Sequence, residues 1–282
     1  KDSSIEDIFH SVMRRSLRVC DDIEIVKTSC DKSNFEGANA LKLYGGVFND
    51  KGFLVDKERV DLVWSYIYSN RVFGTLMTQN SLGFTWFANS KEKRLTPYFS
   101  SYRHDICGER LILVTAQGKK YDVIASSYLC EFEHTCALYK SEIEGIHITV
   151  KVGVEKKLPV KLLTTDVKGN LDNFGSIIYS VDPVIGEKVC PPSLIIRKKD
   201  GDTEFFRRRY DSHLSEHTVF LTSCELGETE DNEENSRKYG FLFGIFPSVS
   251  DRAYYHIRKK YSTPENFETA FKEYGDFYHE LF

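Results

Sequence analysis

The chain has 282 residues, a formal net charge of -4, and charged side chains at 28% of its positions. This balance gives no electrostatic reason to expect a nucleic-acid partner, because proteins that bind nucleic acids carry basic patches. The longest apolar run, Tyr239–Phe246, is far too short to cross a bilayer as a helix. We therefore expect neither a nucleic-acid partner nor a membrane segment in this chain.

Seven cysteines are scattered along the chain. A chain of this length does not depend on disulfides in place of a core, so we interpret the cysteines as reduced thiols. The sequence also contains no Asn-X-Ser/Thr glycosylation acceptor. Both observations favour a cytoplasmic protein.

The first predicted element is a helix from Ser3 to Cys20. Ser3 and Glu6 have the spacing of a capping box, and apolar residues follow at intervals of three and four. We assign residues 1–40 to this N-terminal helix and a linker.

Residues 41–247 show a period of two. Apolar and polar residues alternate along Ile146–Val154, which is typical of a strand with one buried face and one solvated face. A similar alternation from Cys130 to Leu138 predicts another single strand. Many short strands separated by turn signals predict a mainly β fold, a large antiparallel two-sheet β-sandwich. Further predicted strands are Leu111–Thr115, Leu158–Leu163, Gly175–Tyr179, Leu194–Lys198, Thr203–Arg208, Thr218–Cys224 and Gly240–Phe246.

Residues 248–282 are predicted to form two C-terminal helices. The first extends from Val249 to about Tyr261, and the second begins at Pro264, which is favoured at the first helical position. The acidic run Glu225–Asn235 before them is interpreted as a solvated loop. We expect the apolar stripe of the second helix to fold back on an outer sheet face and leave a monomer. This stripe consists of Phe267, Ala270, Phe271, Tyr274, Tyr278 and Leu281.

The most specific stretch of the chain is residues 73–98, FGTLMTQNSLGFTWFANSKEKRLTPY. Two strand-like runs, Phe73–Thr78 and Phe84–Phe87, flank a polar hairpin turn at 79–83. The order of residues resembles the signature of the N-terminal β-sandwich, or supersandwich, of glycoside hydrolase family 94, formerly glycosyltransferase family 36. The matching positions are Phe73, Gly74, Thr78, Gly83, Thr85, Trp86, Asn89, Ser90, Glu92, Arg94, Leu95, Thr96 and Pro97.

Two further segments carry the same resemblance. Tyr44–Phe48 resembles the glycine-rich opening element of the family domain, and Gly108–Ile112 resembles a strand that begins with Gly-Glu. The family contains cellobiose, chitobiose and 1,2-β-oligoglucan phosphorylases and the phosphorylase-like region of cyclic β-1,2-glucan synthases. The resemblance implies a sandwich domain at 41–247 and a helical linker at 248–282 that leads toward an (α/α)₆ catalytic barrel, absent from this chain.

The resemblance also implies the chemistry of the parent enzyme. Such enzymes perform inverting phosphorolysis of β-linked gluco-oligosaccharides and release glucose 1-phosphate, with inorganic phosphate as co-substrate and no cofactor. The expected partners are a β-glucan oligosaccharide, the catalytic barrel of the same protein and a second copy of the parent enzyme. No residue of this chain matches the catalytic motif, so we assign no catalytic residue here. The alternative from another class is a free-standing carbohydrate-binding module.

Five residues near the signature are carbohydrate-contact candidates. A sugar stacks its C–H face on an aromatic ring, while amide and guanidinium groups bond its hydroxyls. The competing interpretation is that Trp86 belongs to the core and that Arg94 holds the loop in place. The candidates are Gln79, Trp86, Asn89, Arg94 and Tyr98.

Cys130, His134 and Cys136 place potential metal donors on one face of the predicted strand. At about 3.3 Å per residue the two sulfurs would lie roughly 20 Å apart, too far to share one zinc ion. Glu131 and Glu133 on the other face are interpreted as solvated side chains rather than a catalytic pair. We therefore predict no metal site.

Overall fold

The structure, a computed structural model, describes residues 23–27, 41–43, 45–57, 63–97, 108–186, 194–199, 202–207, 214, 216–231, 234–248 and 251–281. The helix predicted for Ser3–Cys20 lies outside these residues. Two helices are described, α1 (Asp251–Lys260) and α2 (Pro264–Leu281), and both lie where the sequence predicts them. A 3₁₀ turn covers Leu171–Asn173.

Strands make up most of the described residues. In chain order they are β1 (Ile23–Glu24), β2 (Leu41–Leu43), β3 (Gly46–Phe48), β4 (Gly52–Val55), β5 (Ser65–Ser69), β6 (Phe73–Thr78), β7 (Phe84–Phe87), β8 (Glu109–Thr115), β9 (Lys120–Asp122), β10 (Ser127–Glu133), β11 (Ala137–Ile143), β12 (Ile146–Val154), β13 (Val160–Gly169), β14 (Phe174–Val181), β15 (Leu194–Lys199), β16 (Asp202–Arg207), β17 (His217–Asp231) and β18 (Glu234–Pro247).

The strands form one large sheet and two small ones. The large sheet has 11 antiparallel strands in the order β15-β16-β17-β18-β13-β12-β11-β10-β4-β3-β2. The small sheets have the orders β1-β9-β8-β14 and β5-β6-β7. The expected mainly β fold of antiparallel sheets is confirmed, and the layer opposite the large sheet is divided between the two small sheets.

The main core lies between the large sheet and the small ones. Period-two alternation turns Ile148, Val150 and Val152 of β12 to one face, where all three are buried. Leu111 from the four-stranded sheet and Tyr68 from the three-stranded sheet belong to the same buried cluster. All three sheets therefore share one interior.

A second core covers the opposite face of the large sheet. Leu162 of β13 and Leu242 of β18 point to that face and pack in one cluster with Phe267 and Phe271 of α2. Gly240 makes this close approach possible, because an added Cβ there would lie 2.7 Å from the Phe267 ring. The apolar stripe of α2 is thus docked on the sheet, as the sequence predicts.

The segment from Cys130 to Leu138 is a hairpin, so the prediction of one continuous strand is wrong. Strand β10 ends at Glu133, β11 begins at Ala137, and Phe132 pairs with Ala137. The alternation of apolar residues continues through the turn, which hides the reversal of the chain. The distance of roughly 20 Å between the two sulfurs assumed one extended strand and does not apply to this hairpin.

Glu131 is buried rather than solvated as predicted. It keeps 8% exposure, and Nδ2 of Asn49 donates a hydrogen bond of 2.7 Å to its Oε1. Strand β4 pairs with β10, and Leu54 lies directly opposite Glu131. Glu133 is half-buried at the end of the strand.

The acidic run Glu225–Asn235 belongs to a long hairpin, which corrects the prediction of a loop. Strand β17 extends to Asp231, β18 begins at Glu234, and the two residues are paired. The register shifts by one residue between Glu225 and Gly227, where Gly227 has a φ of 110°.

No helix in the described part of the chain is long and apolar enough to cross a membrane.

Candidate functional site

The outward face of the three-stranded sheet carries two of the predicted contact residues side by side. Gly74 of β6 pairs with Ser69 of β5 and with Trp86 of β7, and Trp86 forms a further antiparallel bridge with Arg94. Directly opposed residues of antiparallel strands project to the same face. Trp86 and Arg94 are therefore neighbours in a row that crosses this sheet.

The indole of Trp86 lies against the backbone of Gly74. A Cβ added at Gly74 would come within 2.4 Å of Cζ2 of Trp86, so this position requires glycine. The Phe84 ring supports the indole with its centroid 5.0 Å away and an interplanar angle of 33°. Trp86 remains half-buried, which gives it both a packed side and an accessible side.

Arg94 is held beside the indole by its own loop. Its Nε donates a hydrogen bond of 3.1 Å to the carbonyl oxygen of Lys91. Oδ1 of Asn89 accepts hydrogen bonds from the backbone N–H groups of Lys91 and Glu92, at 2.8 and 3.0 Å. The loop is therefore shaped by an Asx turn, and Asn89 has its side-chain oxygen committed to that turn while the residue itself is exposed.

Gln79 and Tyr98 do not join this row. Gln79 is 4% exposed, and its Oε1 accepts a hydrogen bond of 2.9 Å from the backbone N–H of Trp64. Its own N–H donates to the carbonyl oxygen of Trp64 at 3.1 Å. Oε1 thus serves as the acceptor for the N–H just before β5, and the Gln79 side chain is almost wholly buried. Tyr98 lies outside the described residues.

The other side of the loop is closed by packing. Phe87 lies 5.2 Å from the ring of His217, and Nζ of Lys93 lies 5.8 Å from the centroid of Phe87. Burial, reinforced by the nearby Lys93 ammonium, lowers the pKa of His217. The neutral form that this favours is compatible with a packing role. Of the two sides of the loop, the one with Trp86 and Arg94 remains accessible.

Sequence reasoning missed a buried polar network centred on Glu109. The Glu109 carboxylate and the Lys161 ammonium lie 2.7 Å apart. Tyr179 donates to the same oxygen of Glu109 at 2.5 Å, and Thr85 and Thr96 donate to the other oxygen at 2.6 and 2.8 Å. Four side chains from different strands and loops thus contact this one carboxylate.

Lys161 directs its three N–H donors at three acceptors. Besides Glu109, they are Oγ1 of Thr75 at 3.0 Å and the carbonyl oxygen of Leu82 at 2.7 Å. Burying an ion pair is tolerable only when the remaining donors and acceptors are also satisfied, and this network meets that condition. Glu109 and Lys161 belong to different sheets and Thr75 to the third, so the network ties all three together.

This network explains part of the signature at 73–97. Thr85 and Thr96 belong to the signature, and Glu109 belongs to the Gly-Glu element after it. Their residue types fit a requirement for hydroxyl donors around a buried carboxylate. Burial, and then the negative charge of Glu109, raise the pKa of Tyr179, so its phenol remains a donor. Because Glu109 and Lys161 have no exposed side-chain surface, the network is structural and not a catalytic site.

No cluster of three or more His, Cys, Asp or Glu side chains that could hold a metal ion occurs among the residues that the structure describes. Cys130 and Cys136 are both buried, and burial raises the pKa of each thiol to about 12. The protonated thiols behave as small apolar side chains in the core.

The fold is that of a large β-supersandwich, and the ion pair of Glu109 and Lys161 is buried in its core. Comparison with family models makes this specific, because residues 53–177 match the family described as "Glycosyl hydrolase 94, supersandwich domain". The resemblance stated from the sequence is confirmed over this segment. The matched family is by its description a domain of glycosyl hydrolase 94 enzymes.

No curated protein matches the chain. Among solved structures, the chain is similar to one described as the crystal structure of a bacterial glucoamylase complexed with acarbose, with 9% sequence identity and a TM-score of 0.47. That alignment covers 92% of this chain and 40% of the glucoamylase chain, so this chain spans less than half the length of that protein.

Proposed function

We propose that this chain is the carbohydrate-associated sandwich domain of a β-glucoside phosphorylase that acts by inverting phosphorolysis. In this proposal the parent enzyme uses inorganic phosphate to release glucose 1-phosphate from β-linked gluco-oligosaccharides, in a catalytic barrel outside this chain. Its cytoplasmic location and assembly as a homodimer belong to the same proposal. The match of residues 53–177 to the supersandwich family supports it.

The proposal assigns oligosaccharide contact to the row formed by Trp86 and Arg94. The observation that carries this assignment is their direct pairing on the outward face of the small sheet. A half-exposed indole offers a flat apolar surface to the C–H face of a sugar ring, and a guanidinium beside it donates to hydroxyls. Gly74 and the Asx turn at Asn89 hold the two groups in place before any ligand arrives, which lowers the ordering cost of binding.

The test is titration of the purified chain with cellobiose, laminaribiose and sophorose oligosaccharides, followed by tryptophan fluorescence and calorimetry. We expect Trp86→Ala and Arg94→Ala each to weaken binding by about tenfold or more, as is typical when a stacked ring or a charged hydrogen bond is lost. Tyr255→Ala is the matched control, because Tyr255 is an aromatic residue with 62% exposure on α1. Equal binding by all three variants would refute the assignment.

A second measurement concerns activity. The chain by itself should release no glucose 1-phosphate from cellobiose or sophorose in the presence of phosphate, because in this proposal the catalytic groups lie in the barrel outside this chain. Phosphate-dependent release by the purified chain would contradict the proposal.

One observation favours the alternative of a free-standing carbohydrate-binding module. A helix with an uncovered aromatic stripe would need a further domain, but Phe267, Phe271 and Tyr274 are already buried against the chain itself. The two functions are distinguished by catalysis. If the chain is a domain of a phosphorylase, Trp86→Ala should change kcat/KM of the full-length enzyme, whereas a free-standing module would show an effect on sugar binding alone.

A further inference from the structure

A cavity with both polar and apolar lining lies on the outer face of the large sheet, beneath the first turns of α2. Its volume is about 280 Å³. Its floor consists of outward-facing side chains from β12, β13 and β18, which are central strands of the sheet. The lining residues that bear on its chemistry are Thr149, Lys151, Thr164, Asp166, Lys238 and Glu268.

Asp166 is the central residue of the floor. It pairs with Thr149 of β12 on one side and with Lys238 of β18 on the other, so these three side chains project in a row to the same face. Oδ1 of Asp166 is buried and has no hydrogen-bond partner among the described residues. A buried acceptor without a partner destabilises a fold, so a donor from a ligand would restore a favourable interaction.

The walls of the cavity are held by other contacts. Nζ of Lys151 donates to both carboxylate oxygens of Glu268 at 2.7 and 2.8 Å, which fixes the first part of α2 over the sheet. Leu226 lines another side, and it is the residue added at the bulge in β17. Bulges of this kind re-aim side chains and occur frequently next to binding sites. Pro264 at the start of α2 completes an apolar edge.

The lining carries as many positive as negative charges. The ammonium groups of Lys151 and Lys238 offset the carboxylates of Asp166 and Glu268, so the cavity gives no net preference for an anion or a cation. The same groups, with the hydroxyls of Thr149 and Thr164, offer both donors and acceptors. A hydroxyl on a ligand can donate and accept at once, which suits this mixture.

We propose that this cavity binds a neutral polyhydroxylated molecule of about monosaccharide size, with one ligand hydroxyl donating to Oδ1 of Asp166. The volume lies just below the usual range of ligand pockets, which limits the occupant to a single small unit. The site belongs to a different sheet from the row of Trp86 and Arg94. It therefore does not depend on the function proposed for that row.

The experiment uses the purified chain with glucose, myo-inositol and glycerol as probes, followed by saturation-transfer NMR and calorimetry. We expect saturable binding of at least one of them. Asp166→Asn should weaken it by about tenfold or more, the usual loss for a hydrogen bond to a charged group. Thr149→Val keeps the shape of the side chain and should weaken binding by about fivefold through the lost hydroxyl.

Asp276→Asn is the matched control, because it makes the same charge change at an exposed residue of α2 and should leave binding unchanged. Failure of the folded wild-type chain to bind any of the three probes would overturn the proposal. So would equal effects of Asp166→Asn and Asp276→Asn. If Asp166→Asn does not fold, the test is the binding affinity of Thr149→Val, and unchanged affinity would overturn the proposal. Binding that Trp86→Ala abolishes and Thr149→Val leaves intact would belong to the other site, and this inference would then be wrong.

Discussion

The ammonium nitrogen of Lys161 lies 2.7 Å from a carboxylate oxygen of Glu109, and neither side chain has any exposed surface. Removing two charges from water is costly, and their mutual attraction offsets this cost only when the other donors and acceptors are satisfied as well. Here they are, through Thr75, Thr85 and Tyr179 among others. The pair therefore fixes how the three sheets meet, since another alignment would leave charges buried without partners.

Removing one member of this pair should be strongly destabilising. Lys161→Met leaves the Glu109 carboxylate buried without its counter-charge, and we expect the free energy of unfolding to fall by about 3–5 kcal/mol. Urea denaturation of the two proteins measures the difference. The double variant Lys161→Met with Glu109→Gln should lose less than the sum of the single variants, because it leaves no unpaired charge.

The control for this prediction is the exposed pair of Lys151 and Glu268, whose side chains keep 35% and 55% of their surface in solvent. Lys151→Met should cost no more than about 1 kcal/mol, as is usual for surface pairs. A loss from Lys161→Met as small as that from Lys151→Met would show that the buried network does not hold the sheets.

Gly74→Ala should displace the indole of Trp86. The added Cβ would lie 2.4 Å from Cζ2 of Trp86, a distance that forces the ring to move. We expect a shift in tryptophan emission, a destabilisation of about 1–3 kcal/mol typical of overpacking, and weaker oligosaccharide binding. The control is Leu76→Ala, because Leu76 is a half-buried neighbour on the same face of the sheet.

Tryptophan emission distinguishes a displaced indole from a general loss of stability. Leu76→Ala removes side-chain volume from the same face and leaves Gly74 and its contact with the indole unchanged. An unchanged emission spectrum and unchanged binding in a folded Gly74→Ala protein would mean that the position of the indole does not matter for the ligand.

Local pattern was sufficient for the strands and helices that matter most here. Phe73–Thr78, Phe84–Phe87 and Ile146–Val154 have the predicted bounds because alternation and turn residues are local signals. The reversal after Glu133 was missed because the turn contains neither glycine nor asparagine and the alternation continues through it. Pattern identifies a strand but does not detect a turn that lacks its usual residues.

The buried network could not have been predicted in the same way. Lys161 bonds to Glu109 and Thr75, which are 52 and 86 residues away along the chain. A lysine within an apolar strand is ordinarily a solvated residue, and only the approach of two other sheets buries it. Spacing alone predicts Gln79 and Trp86 in one contact site. The strand register instead pairs Trp86 with Arg94, and Gln79 is bonded to the backbone of Trp64 in the interior.

Glu144 should make the stability of the fold depend on acid pH. Its carboxylate accepts hydrogen bonds from Tyr121, Lys119 and Asn173, and these bonds lower its pKa to about 2. A carboxyl whose pKa is depressed by folding stabilises the folded state above its unfolded pKa, and this contribution is lost as the pH falls through the folded pKa. We therefore expect the wild-type protein to lose stability between about pH 4.5 and 2.

Thermal unfolding of the wild type and of Glu144→Gln across this pH range tests the prediction. The variant should be less stable at neutral pH, and the difference should shrink as the pH falls through the folded pKa of about 2, because the Glu144 carboxyl then becomes neutral like the amide. Asp50→Asn, at an exposed position, serves as the control for loss of one surface charge. A difference between wild type and Glu144→Gln that stays constant with pH would contradict the assignment of this titration to Glu144.

The docked helix α2 should stabilise the fold and should leave the chain monomeric. Phe271 keeps 3% exposure between α2 and the sheet, with its ring 3.1 Å from the position of a Cβ added at Gly153. Truncating such a residue costs about 3–5 kcal/mol, and we expect at least this loss for Phe271→Ala. Tyr274 adds a polar anchor, because its hydroxyl accepts from the N–H of Ser69 at 3.0 Å and donates to its carbonyl oxygen at 3.2 Å.

Phe271→Glu places a charge in the same site and should detach the helix. Hydrogen exchange should then lose protection across Pro264–Leu281, while Thr269→Glu, the same charge change at an exposed position of α2, should leave protection unchanged. Light scattering should report a monomer for the wild type, since the stripe is already covered within one chain. A wild-type dimer that Phe271→Glu with Tyr274→Glu dissociates would show instead that α2 pairs between chains, because an intramolecular dock needs no second copy to bury these rings.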